Sequence, residues 1–222
     1  MRDAWAVGAA TGLYGISFGA ISVSSGFSLL QTCALSLLMF TGASQFALVG
    51  VVAGGASPWT GAVTAWLLGA RNSLYGLALA PRLQLPAGRR ALAAHLVIDE
   101  SSAMATVRDE PAEVRTAFWH TGVSVFVLWN LATLVGAWAG DALGDPRRYG
   151  LDAAASAAFL ALLWPRLTGL RNLATALVAA GLALCLVPFS AAGVPVMAAG
   201  AVALLVGLLG RDRPTASGSN DG

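Results

Sequence analysis

The chain has 222 residues, 57% hydrophobic and 11% charged, with a mean hydropathy of +0.71 and a formal net charge of +2. Soluble domains carry about 25% charged residues, so an ordinary water-exposed globular exterior is excluded. The 13 basic residues, all arginine, form no basic cluster of the kind that nucleic acid requires, so no nucleic-acid partner is expected.

Residues 4–70 contain no Lys, Arg, Asp, Glu or His. At about 20 apolar residues per crossing, that stretch holds roughly three spans of a bilayer. Only helices and closed barrels satisfy their backbone in lipid. The runs 34–40 and 178–187 are continuously apolar rather than alternating, which favours helices. The expected fold is an all-α integral membrane protein, a bundle of about seven transmembrane helices at 5–27, 29–53, 58–80, 116–139, 151–165, 172–188 and 193–210. They form one transporter domain over 1–210, and the lipid bilayer is its solvent.

In the first span Gly8, Gly12, Gly15 and Gly19 recur at spacings of four, three and four. This stripe permits close approach of another helix, or lines a path. Gly15-Ile16-Ser17-Phe18-Gly19 matches the G-x-S-x-G pattern of hydrolase nucleophiles, but the strand–turn–helix context is missing. His95 and His120 are the only histidines, with no metal-ligand spacing around them. Cys33 and Cys185 stand alone in apolar runs. No enzymatic centre, metal or cofactor is expected.

The second span is interrupted by Thr41-Gly42-Ala43-Ser44-Gln45-Phe46. Gly42 loosens the helix, and polar groups stand at membrane depth. Such a break either presents a half-helix N-terminus and the donors of Ser44 and Gln45 to a substrate carboxylate, or serves hydrogen bonds between helices. In the third span Arg71-Asn72-Ser73-Leu74-Tyr75-Gly76 joins a cation, an amide, a hydroxyl and a phenol. A guanidinium at that depth is costly, and its planar fork suits a carboxylate.

Residues 81–115 form a long connection whose apolar middle suggests a cytoplasmic or re-entrant segment. Asp99-Glu100-Ser101 lies within it. Asp99 and Glu100 are candidate coupling carboxylates; the alternatives are a partnership of this segment with Arg71 or a solvated loop. Counting arginines places this connection in the cytoplasm together with the C-terminus, and the N-terminus outside. The fourth span carries Asn130 at mid-depth. A faint echo between Phe18-Gly19-Ala20 and Val135-Gly136-Ala137 would superpose spans one to three on spans four to six as an inverted repeat. The tail 211–222 is polar and reads as disordered.

Three of these segments carry a family resemblance. Phe40-Thr41-Gly42-Ala43-Ser44-Gln45-Phe46 resembles the F-x-G-A-S-Q-F hallmark of the AzlC family, the large subunits of branched-chain amino acid exporters. Gly54-Gly55-Ala56-Ser57-Pro58 fits the loop that follows. Arg71-Asn72-Ser73-Leu74-Tyr75-Gly76, leading to Ala80-Pro81-Arg82, is similar to the family's R-H-x-L-Y-G … A-P-R segment, and Asp99-Glu100-Ser101 to its D-E-S. Asn72 stands where the family usually has His. The resemblance implies a permease of a bacterial inner membrane that exports valine, leucine, isoleucine and sometimes methionine. It also implies a small hydrophobic AzlD-type subunit as partner. The residues expected at the substrate are Gly42, Ser44, Gln45, Arg71 and Asn72. The alternative is a non-transporting scaffold for a partner that forms the pathway.

Overall fold

The computed structural model describes residues 2–143, 160, 163–164, 167–190 and 194–209. Most of the expected span at 151–165 and all of the tail 211–222 lie outside the described residues, as do Arg147, Arg148, Arg166, Arg211 and Arg213. The chain forms two compact units, 1–164 and 165–222.

Unit one contains seven helices: α1 Arg2–Ser24, α2 Leu29–Met39, α3 Ala43–Ala53, α4 Pro58–Leu83, α5 Ala87–His95, α6 Asp99–Thr106 and α7 Pro111–Leu143. Unit two contains α8 Leu170–Leu186, a 3-10 turn Val187–Phe189 and α9 Val194–Leu209. Arg171 near the start of α8 donates to the carbonyl of Val206 near the end of α9 at 2.8 Å, so these two run antiparallel. No strand occurs among the described residues, and α1, α7 and α8 with its 3-10 turn (Leu170–Phe189) are each long and apolar enough to cross a membrane. α4, at 26 residues, is about 39 Å long at ~1.5 Å per residue. Arg71 and its polar neighbours lower its hydropathy.

The glycine stripe of α1 finds its partner in α7. A Cβ on Gly8 would meet Ser124, on Gly12 Leu128 and on Gly15 the Trp129 carbonyl oxygen at 2.6 Å; one on Gly140 would meet Ala20. Numbers rise together along both helices, so α1 and α7 are parallel. Ser124 seals their shared end by donating to the Ala4 carbonyl at 2.9 Å.

α2 runs against both. Ser22 and Thr32 share a hydrogen bond of 2.8 Å, Ser36 donates to Thr133 at 3.3 Å, and Phe40 packs on Phe126. α4 also opposes α7, because Arg82 near its C-terminus donates to the carbonyls of Thr106 and Arg108, just before α7 begins. α3 is antiparallel to α4: Gly61 faces Leu48 and Val52, and Gly69 faces Ser44. Hence α3 runs with α7 while α2 runs against it. The chain reverses at 40–42, and α2–α3 is a hairpin that returns to the end where α1 finishes.

The same logic applies to α5–α6. Arg71 pairs with Asp99 and Arg82 reaches Thr106, so α6 runs parallel to α4. α5 starts and α6 ends beside the C-terminus of α4. Leu96, Val97 and Ile98 form the buried turn of this second hairpin, and Leu96 sits against Gly122 of α7. Two hairpins therefore enter the bundle from opposite ends. Each arm has 8 to 11 residues, about 12–16 Å, or near half of a ~30 Å hydrocarbon core.

Two expectations change as a result. The segment 29–53 does not continue from one end of the bundle to the other, because it doubles back. Arg2 and the connection 81–115 cannot lie on opposite faces. The parallel pairing of α1 with α7 puts Arg2, Arg82, Arg89, Arg90, Arg108 and Arg115 at one end. The loops 25–28 and 54–57 at the other end carry no charge.

Candidate functional site

The two hairpin tips meet in the middle of unit one. The rings of Phe40 and His95 lie 6.0 Å apart, and Phe126 of α7 touches both at 5.0 and 5.6 Å. Nearby, Phe18 stacks on Trp129, and Phe46 meets both rings edge to face. Non-helical backbone at membrane depth is tolerated only where protein or a cavity satisfies it. Both turns meet that demand in one way. Gly42 takes φ 59° and ψ −85°, open to glycine and strained for other residues. Its N–H donates to the Gln45 side-chain oxygen at 3.1 Å, and the Gln45 amide donates to the Leu35 carbonyl at 3.1 Å. In the second tip the Ile98 N–H donates to the Ser101 hydroxyl at 3.1 Å, and Ser101 donates to the Leu96 carbonyl at 2.7 Å. Gln45 and Ser101 hold the same third position of α3 and α6, and both are fully buried.

Gln45 is therefore a clasp within its hairpin and positions the turn; its oxygen and one N–H are engaged there. The groups left over are its neighbours. The hydroxyls of Thr41 and Ser44 are buried without a hydrogen-bond partner. They line a cavity of about 290 Å3 between α3 and α4, together with Met39, Ala65, Gly69 and Ser73. Gly69 opens this cavity, since a Cβ there would come within 3.2 Å of the Ser44 hydroxyl.

Arg71 and Asn72 fall between Gly69 and Ser73 on α4. Arg71 reaches Asp99 at 3.0 Å, with the two side chains 30% and 22% exposed. The pair thus links α4 to the first turn of α6, where the helix N-terminus favours a carboxylate. The Arg71 Nε and the Asn72 side-chain oxygen are buried without a hydrogen-bond partner. Asn72 and Ser73 also border a larger groove of about 680 Å3 between α4 and α5. Glu100 follows Asp99 in the first turn of α6, half-buried. The five residues expected at the substrate thus gather around one tip and one helix turn. The expected coupling pair belongs to the second tip, and of the openings left for Asp99 the partnership with Arg71 is the one found.

Other groups escaped the sequence reading. Ser102 and Thr121 are buried hydroxyls without partners, as is the Trp129 indole N–H. A buried donor or acceptor left unmade costs about 1–3 kcal/mol. Each such group marks a place where water or a polar ligand belongs. Their only sequence signal is small polar residues inside apolar helices. Among the described residues no group of His, Cys, Asp and Glu is placed to hold a metal ion.

A family model described as AzlC protein matches residues 6–143. The chain is similar to inner membrane protein YgaZ of Escherichia coli (strain K12), 33% identical over 132 residues, or 57% of this chain and 54% of that protein. The chain thus spans about half the length of the curated relative it matches. No solved structure matches it. The matched residues take in both hairpin tips, the Arg71–Asp99 pair and the α1–α7 seam, and the chain belongs to the AzlC family of membrane proteins.

Proposed function

We propose that the protein is a secondary transporter that exports branched-chain amino acids (valine, leucine and isoleucine, with methionine an occasional substrate of the family) across the inner membrane, together with a small AzlD-type subunit. The observation that carries this reading is the Arg71–Asp99 ion pair, which ties α4 to the second hairpin tip beside the place where the two opposed tips meet. An opened ion pair is complementary to a zwitterion. The substrate carboxylate takes the guanidinium of Arg71, which suits it bidentately, and the ammonium takes Asp99. Ser44 and Thr41 supply hydroxyls, and the apolar wall of Met39, Ala65 and Trp66 accommodates an aliphatic side chain. Gly42 gives the backbone close approach. Asn72 offers an oxygen acceptor where the family usually has His.

Substrate and the intact pair exclude each other, so loading loosens the tie between α4 and α6. Each hairpin then gates the face from which it enters, in the manner of transporters built on broken helices. The arginine-rich end, with Arg2 and the α5–α6 hairpin, faces the cytoplasm under the positive-inside rule. This replaces an exterior N-terminus.

The test is flux of labelled valine in proteoliposomes holding the chain and its small subunit. Arg71→Ala should reduce flux to that of empty liposomes while the protein still inserts. Wild-type flux from that variant, or full flux from the small subunit alone, would favour a scaffold instead.

A further inference from the structure

Asn72 and Ser73 of the transport site border one end of the groove between α4 and α5, and the transport reading does not need the rest of it. Its walls are Leu77, Leu79, Leu83, Ala93, Ala94 and Val97, and its volume is about 680 Å3. Gln84 and Arg90 stand at its mouth. Arg90 lies in the first turn of α5, where α4 finishes, among the arginines that share one end of unit one. Its Nε donates to the Leu85 carbonyl at 3.1 Å, which fixes the stem. Its two terminal nitrogens donate to nothing among the described residues, and the side chain is exposed, with Arg89 beside it. Residues 84–86 join α4 to α5 directly. A single hydrocarbon chain fits this groove, and a water-soluble anion gains nothing from its apolar walls.

We propose that this groove binds an anionic phospholipid, with one acyl chain between α4 and α5 and the phosphate on Arg90 and Arg89. Basic pockets between helices at the membrane surface are the usual setting for acidic head groups. The lipid braces the second hairpin against α4 and leaves the chemistry at the tips unaltered.

Native mass spectrometry of protein released from nanodiscs of equimolar phosphatidylglycerol and phosphatidylcholine tests this directly. The wild type should retain phosphatidylglycerol over phosphatidylcholine. Arg90→Gln should reduce that preference about fivefold, the value of one arginine at a charged surface, and Arg90→Lys should keep most of it. Ala94→Trp, which fills the groove, should lower retention of both lipids. Equal retention of the two lipids by the wild type, or an Arg90→Gln preference equal to wild type, would overturn the proposal. So would a photoreactive residue at Leu77 that crosslinks to polypeptide rather than to lipid. Transport failure elsewhere in the protein would leave these readouts unchanged.

Discussion

Gly136→Ala tests the seam on which the architecture depends. A Cβ at Gly136 would strike the Ile16 carbonyl oxygen and lie 2.7 Å from the Ile16 carbonyl carbon and Cα. These are backbone atoms of α1, which no rotamer change can move. Overpacking of this sort costs about 1–3 kcal/mol and more where the obstacle is rigid, so ~3 kcal/mol is the working figure. The better helix propensity of Ala returns about 1 kcal/mol. A net loss of about 2 kcal/mol is expected. Gly50 on α3 is the control, because nothing lies within 4 Å of its Cβ position. Gly50→Ala should be neutral or stabilising by up to about 1 kcal/mol. The two variants should thus differ by about 2–3 kcal/mol, roughly 30- to 150-fold in the unfolding constant. Reversible unfolding of purified protein in mixed micelles by a denaturing detergent gives both values. Equal stability of Gly136→Ala and Gly50→Ala would refute the parallel pairing of α1 with α7.

Gln45→Leu strands the Gly42 N–H and the Leu35 carbonyl, and should cost about 2–4 kcal/mol in the same unfolding measurement. Ser44→Leu fills the small cavity from a side chain that makes no hydrogen bond, so it should abolish valine flux with little loss of stability, whereas Ser44→Ala should retain part of the flux. Asp99→Asn leaves the Arg71 guanidinium without its anion; because both side chains are partly exposed, the stability cost should be only about 1–2 kcal/mol, and a double-mutant cycle with Arg71→Gln should recover it as a coupling energy.

Much of this was legible in the residues. A charge-free stretch of 67 residues has no interpretation but membrane. The glycine stripe of α1 announced a close neighbour, and Thr41, Gly42 and Ser44 announced a break. The identity of the neighbour was hidden, because small residues permit contact without naming a partner. The direction of the chain after the break was hidden as well. A kinked span and a hairpin share the same hydropathy, and only the reversal at Gly42, closed by Gln45, distinguishes them. That single ambiguity carried into the arginine count. Treating 29–53 as a full crossing moved the connection 81–115 to the face opposite Arg2. The apolar middle of 81–115 left a cytoplasmic and a re-entrant segment both open, because α5 and α6, at 9 and 8 residues, are each too short to show the hydropathy of a full span. The pairing of Arg71 with Asp99 was an open possibility in the sequence, since 28 residues of chain allow many partners. It was settled by α6 running back along α4.

Topology is the most direct measure of whether two hairpins face each other across the bilayer. Single cysteines at Ser25, Ser57 and Asp109, in a background lacking Cys33 and Cys185, can be labelled with a membrane-impermeant maleimide in intact cells and in inverted vesicles. The hairpin arrangement predicts that Ser25 and Ser57 react from the same, periplasmic side, and that Asp109 reacts only from the cytoplasmic side. Labelling of Ser25 and Ser57 from opposite sides would show that 29–53 crosses the membrane, and would contradict the opposed hairpins and the gating built on them.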